Sequence, residues 1–179
     1  MGLHMFVHIY GLASACVYAN IRIILSLLGK GVHEVGITKR SDDVPFSAIT
    51  DGNWGRYFTT NLLSPSFDLT GKGFIIDLAS TYRIVGFNIL PCGAFTNVAV
   101  SASASTSNPG RTCVDVNNAL AVDDWSCLGC DEGDGVLGEG LPTQVFYVDG
   151  RYVHFLFTTP NATPQVCVRE IYIKAFPVP

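Results

Sequence analysis

Charge is scarce in this chain. Only 15% of its 179 residues are Asp, Glu, Lys or Arg, while 48% are hydrophobic. That balance excludes intrinsic disorder, which needs low hydrophobicity and high net charge. Basic clusters are missing as well: the formal net charge is −4 and Lys39-Arg40 is the only adjacent basic pair. A solvated turn accounts for that pair, and no electrostatic footprint for nucleic acid remains. No Gly-x-Ser-x-Gly, His-Glu-x-x-His or phosphate loop occurs, so no motif points to a hydrolase, a zinc protease or a nucleotide enzyme. Histidine is absent between Glu34 and Tyr152. Helical periodicity with capping signals is lacking after residue 30.

What is present fits one domain, long enough to bury roughly two-thirds of its unfolded surface. Six cysteines are many for a cytosolic protein and ordinary for a secreted one. Leu3 to Ile21 carries no charged residue and contains the small-residue signals Ala13-Ser14-Ala15 and Val17-Tyr18-Ala19. Residues 1–19 therefore read as a signal peptide, with the domain proper over 30–179. The basic n-region is missing, and a misassigned gene start, a buried strand or an anchor are the alternatives. Cutting after Ala15 leaves six cysteines, and cutting after Ala19 leaves five.

Downstream of Asp51, runs rich in Val, Ile, Phe and Tyr recur at Phe74–Leu78, Tyr82–Leu90, Asn97–Ala104, Val145–Val148, Tyr152–Thr158 and Val166–Ala175. They are short and bounded by turn residues, as strands are. Val85, Phe87 and Ile89 alternate, as do Val153, Phe155 and Phe157, which gives each run one buried face. The expected class is an all-β sandwich or barrel. Ser101 to Asn108 reads as an edge strand entering a turn at Asn108-Pro109-Gly110. Asp115 to Gly140, acidic and glycine-rich, reads as a long surface loop.

Five motifs in order resemble the galactose-binding-like jelly rolls, above all the fucolectin–tachylectin–pentraxin branch, which is related to discoidin and coagulation-factor type C domains. They are Ala48-Ile-Thr-Asp51-Gly52-Asn53, Phe74-Ile-Ile-Asp77-Leu78, Tyr82-Arg-Ile84, Gly150-Arg-Tyr-Val153 and Val166-Cys167-Val-Arg-Glu170-Ile-Tyr172. The resemblance covers about residues 30–175 and implies a jelly-roll β-sandwich. In its own right, Asp51-Gly52-Asn53 is a turn signal. Asp77 ends an apolar strand, where its carboxylate can hold the following turn. A cysteine in the last strand and another in a loop can staple such a sandwich.

The resemblance also implies a calcium ion beside the Asp-Gly-Asn turn. Its ligands here would be Asp51, Asn53, the Cys167 carbonyl and, since Val168 stands at the family's Glu position, Glu170 if the register places it on the same side. Such an oxygen-only set suits a hard cation; a plain hydrogen-bonded turn is the alternative. The family's fucose-binding His and basic residues have no counterpart here. Trp54, Arg56, Tyr57 and Asn61 in the Trp54–Leu63 loop can replace them, because aromatic faces stack on sugars and Arg or Asn fixes hydroxyls. Trp54 and Phe58 can instead cap the open end of the barrel. By resemblance, Cys113 pairs with Cys127 or Cys130. Cys127-Leu-Gly-Cys130 has the spacing of half a zinc site, but four ligands are needed. The carboxylates of Asp123, Asp124, Asp131, Glu132 and Asp134 read as a solvated acidic loop rather than a glycosidase pair. Asn161-Ala-Thr163 is a glycosylation sequon followed by Pro164.

The expectation is thus a secreted, non-catalytic binding module with a glycan or other cell-surface ligand. An adhesion module whose Trp54–Leu63 loop contacts phospholipid or protein is the alternative.

Overall fold

The computed structural model describes residues 24–25, 30–36, 46–50, 52, 58–61, 70–93, 95–130, 136–137, 146–158 and 165–178. The signal-peptide region 1–19 and the sequon lie outside the described residues. Apart from a 3₁₀ turn at Phe46–Thr50, the regular elements among the described residues are antiparallel strands. In chain order they are β1 (Ile24–Leu25), β2 (Gly31–Val35), β3 (Phe58–Asn61), β4 (Gly73–Pro91), β5 (Val98–Ser103), β6 (Arg111–Val116), β7 (Ser126–Gly129), β8 (Val136–Leu137), β9 (Phe146–Phe157) and β10 (Gln165–Pro177).

The architecture is a jelly-roll β-sandwich in which two long strands serve both layers. The first half of β4 lies between β2 and the second half of β9, and β5 and β6 extend that layer. The second half of β4 pairs with β10 on one side, and with the start of β9 and then β7 on the other. β1 and β3 pair with β10, and β8 with β9. Between the halves, the β4–β9 register shifts from Asp77↔Tyr152 to Tyr82↔Gly150. Bulges of this kind are how a strand turns a corner from one sheet into another.

Phe155 shows the closure of the sandwich. Its ring stacks on Phe74 of the same layer at 4.8 Å and meets Phe87 of the facing layer edge-on at 5.7 Å. Such ring pairs add about 0.5–1.5 kcal/mol beyond the area they bury. The alternating residues Val153, Phe155 and Phe157 join Phe74, Ile76, Phe87, Ile89, Ile171 and Ile173 in one core, as the period of two predicts. Phe95, fully buried from the loop after β4, closes one end.

Three expectations need correction. The separate runs Phe74–Leu78 and Tyr82–Leu90 are one strand, as are Val145–Val148 and Tyr152–Thr158. Ladder pairing carries the backbone past the polar corner residues that seemed to interrupt it. Ser101–Ser103 does not form an edge, because β6 adds outside β5. The turn itself is where it was expected, with the Gly110 amide donating to Asn108 Oδ1 at 3.0 Å. Finally, the segment Asp115–Gly140 contains β7 and β8 as well as loop. β7 approaches β4 so closely that a Cβ on Gly86 would lie 2.3 Å from the Leu128 carbonyl oxygen.

Two disulfides hold these segments. Cys92–Cys167 joins the loop after β4 to the last strand, 75 residues away in sequence. Cys113–Cys130 ties β6 to the end of β7, one of the two pairings expected for Cys113. Cys127 is disulfide-bonded too. A disulfide sulfur is no thiolate, so the Cys127-x-x-Cys130 spacing does not serve zinc here. Among the described residues no cluster of three His, Cys, Asp or Glu side chains could hold a metal.

Candidate functional site

The polar landmarks Asp77 and Arg151 meet at the sheet corner. Arg151 forks onto Asp77, Nε donating to Oδ1 at 2.7 Å and Nη2 to Oδ2 at 2.8 Å. The Ala79 amide also donates to Asp77 Oδ1 at 2.7 Å, which supports the left-handed Ala79 (φ 68°). The Arg151 hydrogen bond, against an opposing effect of burial, holds the Asp77 carboxyl at about 2. Lys30 Nζ donates to the Leu78 carbonyl at 2.9 Å. A second pair, Arg83 with Asp149 at 3.2 Å, flanks the corner, and its guanidinium lies 4.1 Å over the Tyr147 ring. Each of these described charges has a protein partner, as a structural corner requires. Gly150 belongs to it because a Cβ there would come within 2.5 Å of the Ser103 amide nitrogen.

The opposite end carries the candidate ligand-binding region. Asp51, Asn53, Trp54, Arg56 and Tyr57 lie outside the described residues. Both flanks of that segment are anchored on β10. The 3₁₀ turn Phe46–Thr50 packs against β10, with Ala48, Ile49 and Thr50 buried. β3 pairs along β10 from Phe58↔Val168 to Asn61↔Gln165. Beside these anchors stands the Cys92–Cys167 bridge. Of the four proposed calcium ligands, Cys167 and Glu170 are described. Cys167 is the stapled residue, and Glu170 is only 1% exposed. β10 shifts register between Val168 and Glu170, so Val168 joins the core while Glu170 alternates with the core residues Ile171 and Ile173 and faces outward.

The same outward side of β10 carries residues that the sequence reading passed over. Tyr172 stacks on Trp125 at 5.0 Å with the ring planes 20° apart, and both rings are partly exposed. Arg169 Nε donates to Asp123 Oδ1 at 2.8 Å. The Trp125 amide donates to Asp124 Oδ1 at 2.8 Å, and the Asp123 amide to the Pro91 carbonyl at 2.8 Å, so this loop is fixed against the end of β4. Asn88 lies in register with both Tyr172 and Cys127, is 7% exposed, and its Oδ1 accepts no hydrogen bond. Further along the same side Lys174 is half-buried, and burial pushes its ammonium pKa down. The only signal in the sequence was the position of Tyr172 between the inward Ile171 and Ile173.

No family model and no curated protein matches this sequence. Solved structures do match in fold. A fucolectin from striped bass (Morone saxatilis) serum superposes with a TM-score of 0.60 at 12% identity, over 88% of this chain and 49% of that one. This chain thus spans about half the length of that fucolectin chain. The family 32 CBM of Clostridium perfringens NanJ, solved with galactose, gives 0.57 at 13% identity over 84% of this chain and 96% of that one. CpGH89CBM32-5 from the same organism, solved with GalNAc-β-1,3-galactose, gives 0.60 at 13% identity over 84% and 99%. The fold is that of the galactose-binding-like jelly rolls.

Proposed function

We propose that this chain is a secreted, non-catalytic, lectin-like module that binds carbohydrate at the end of the sandwich where the Asp51–Leu63 segment is anchored. The observation that carries this reading is the loop end itself. Two flanking elements and a disulfide fix the base of a segment rich in aromatic and hydroxyl-binding residues onto one strand, β10. A rigid base keeps the ordering cost of binding low, which matters for ligands as weakly held as sugars. Two solved structures with this fold hold galactose or a galactose-containing disaccharide. Secretion is supported by the disulfide bonding of all five cysteines among the described residues, since such bonds persist in oxidising compartments.

A structural calcium ion held by Asp51, Asn53, the Cys167 carbonyl and Glu170 belongs to the same proposal. The buried Glu170 carboxylate, three residues from the staple, is the described feature that fits a hard cation. The ion would brace the loop base rather than take part in chemistry. Added calcium should then raise the melting temperature and EDTA should reverse it, because a ligand bound only by the native state stabilises it by mass action.

A glycan array run with and without EDTA tests the reading, with phospholipid vesicle binding measured in parallel. Saturable binding to a restricted set of glycans is expected. Silent arrays under both conditions, together with vesicle binding, would replace it with the membrane-adhesion reading.

A further inference from the structure

The outward side of β10 combines an aromatic platform with an acceptor that lacks a donor. Trp125 and Tyr172 form a stacked pair left partly open to solvent. Beside Tyr172, across the strand, lies Asn88, whose buried Oδ1 accepts nothing. A buried acceptor left dry costs about 1–3 kcal/mol, so this atom calls for an O–H or N–H donor. Two exposed carboxylates, Asp123 and Asp124, flank the platform. Among the described residues, the nearby Arg169 is paired with Asp123, and Lys174 on the same side is half-buried.

We propose that the Trp125–Tyr172 stack, with Asn88 beside it and Asp123 and Asp124 at its rim, is a sugar subsite selective for neutral, hydroxyl-rich residues over carboxylated ones. The inference rests on the lectin-like reading and places its specificity outside the Trp54–Leu63 loop. The indole presents apolar surface to the C–H face of a pyranose. A ligand hydroxyl can donate to the exposed Asp124 carboxylate at the rim, whereas an ionised carboxylate set against it has no proton to give. Asp124 repels such a carboxylate, while the charge of Asp123 is paired with Arg169.

The test is a titration of the isotope-labelled intact chain followed by NMR, with galactose, N-acetylgalactosamine and N-acetylneuraminic acid as probes. The Trp125 indole N–H resonance is assigned by its absence in Trp125→Phe, a variant that keeps a ring on Tyr172. The Trp125 resonance should shift saturably with the two neutral sugars and not with N-acetylneuraminic acid. Trp125→Ala should weaken their binding by about three- to tenfold. The Asp124→Asn variant, which leaves the Arg169–Asp123 pair in place, should bind N-acetylneuraminic acid several-fold more tightly than the parent chain. Three results would overturn the proposal. If sugars shift other resonances while the Trp125 and Asn88 side-chain signals stay fixed, the subsite is wrong and the lectin reading stands. If N-acetylneuraminic acid binds the parent chain as well as galactose does, the stated selectivity is wrong. If no resonance responds to any glycan found on the array or to these probes, both readings fail.

Discussion

Asp77 sets the corner through one carboxylate with two tasks: it accepts the Arg151 fork and caps the left-handed Ala79. Its folded pKa, about 2, lies below the ordinary 3.8. A depressed carboxyl contributes stability that is fully present above the unfolded value and lost as pH falls through the folded one. The melting temperature should therefore drop between about pH 4 and pH 2, and Asp77→Asn should flatten that limb; a thermal melt series across this range reads the slope. His154 works at milder pH. It is 1% exposed, and its Nε2 lies 3.0 Å from the Ser105 carbonyl oxygen and 3.1 Å from the Ser103 hydroxyl. Burial lowers its pKa from 6.5, outweighing the Ser105 hydrogen bond. The neutral imidazole thus stabilises the fold fully above about pH 6.5, and the benefit falls away below it. In His154→Gln the dependence of stability on pH between 7 and 5 should shrink, as urea melts at several pH values would show.

Among the elements, β4 and β9 determine the rest, because each contributes to both layers. Phe155 is their shared contact, and Phe155→Ala should cost about 3–5 kcal/mol in equilibrium urea unfolding. Paired replacement of Cys92 and Cys167 by serine should cost about 2–4 kcal/mol, since the bridge closes a long loop, and should loosen the base of the ligand loop. The alternations at Val85–Ile89 and Val153–Phe157 made these strands legible in the sequence, because a half-buried strand writes its inner face every second residue. Their continuity was not legible: Ala79-Ser80-Thr81 reads as a break, and only the Arg151–Asp77 clasp shows how the chain passes it. β7 left no trace because Ser126-Cys-Leu-Gly129 has weak strand preference and is held by the Gly86 approach and a disulfide. The Trp125–Tyr172 stack was equally hidden, since the two residues lie far apart in sequence and meet only through β7 and β10.

The molecule as a whole divides its labour between its two ends. At the corner, the described charges are matched within the fold. At the other end, stapled β10 holds the base of the Asp51–Leu63 segment and, on its outward side, an aromatic pair beside an unfilled acceptor. Resemblance of sequence motifs and likeness of fold agree on the scaffold, while the residues that would choose a ligand are this chain's own. Whether the intact chain binds sugar is therefore the decisive question. Isothermal titration calorimetry with galactose and with GalNAc-β-1,3-galactose should give a saturable, one-site isotherm that Trp125→Ala weakens. Flat titrations with both sugars and with every glycan on the array, from protein shown by thermal melting to be folded, would contradict the lectin-like reading.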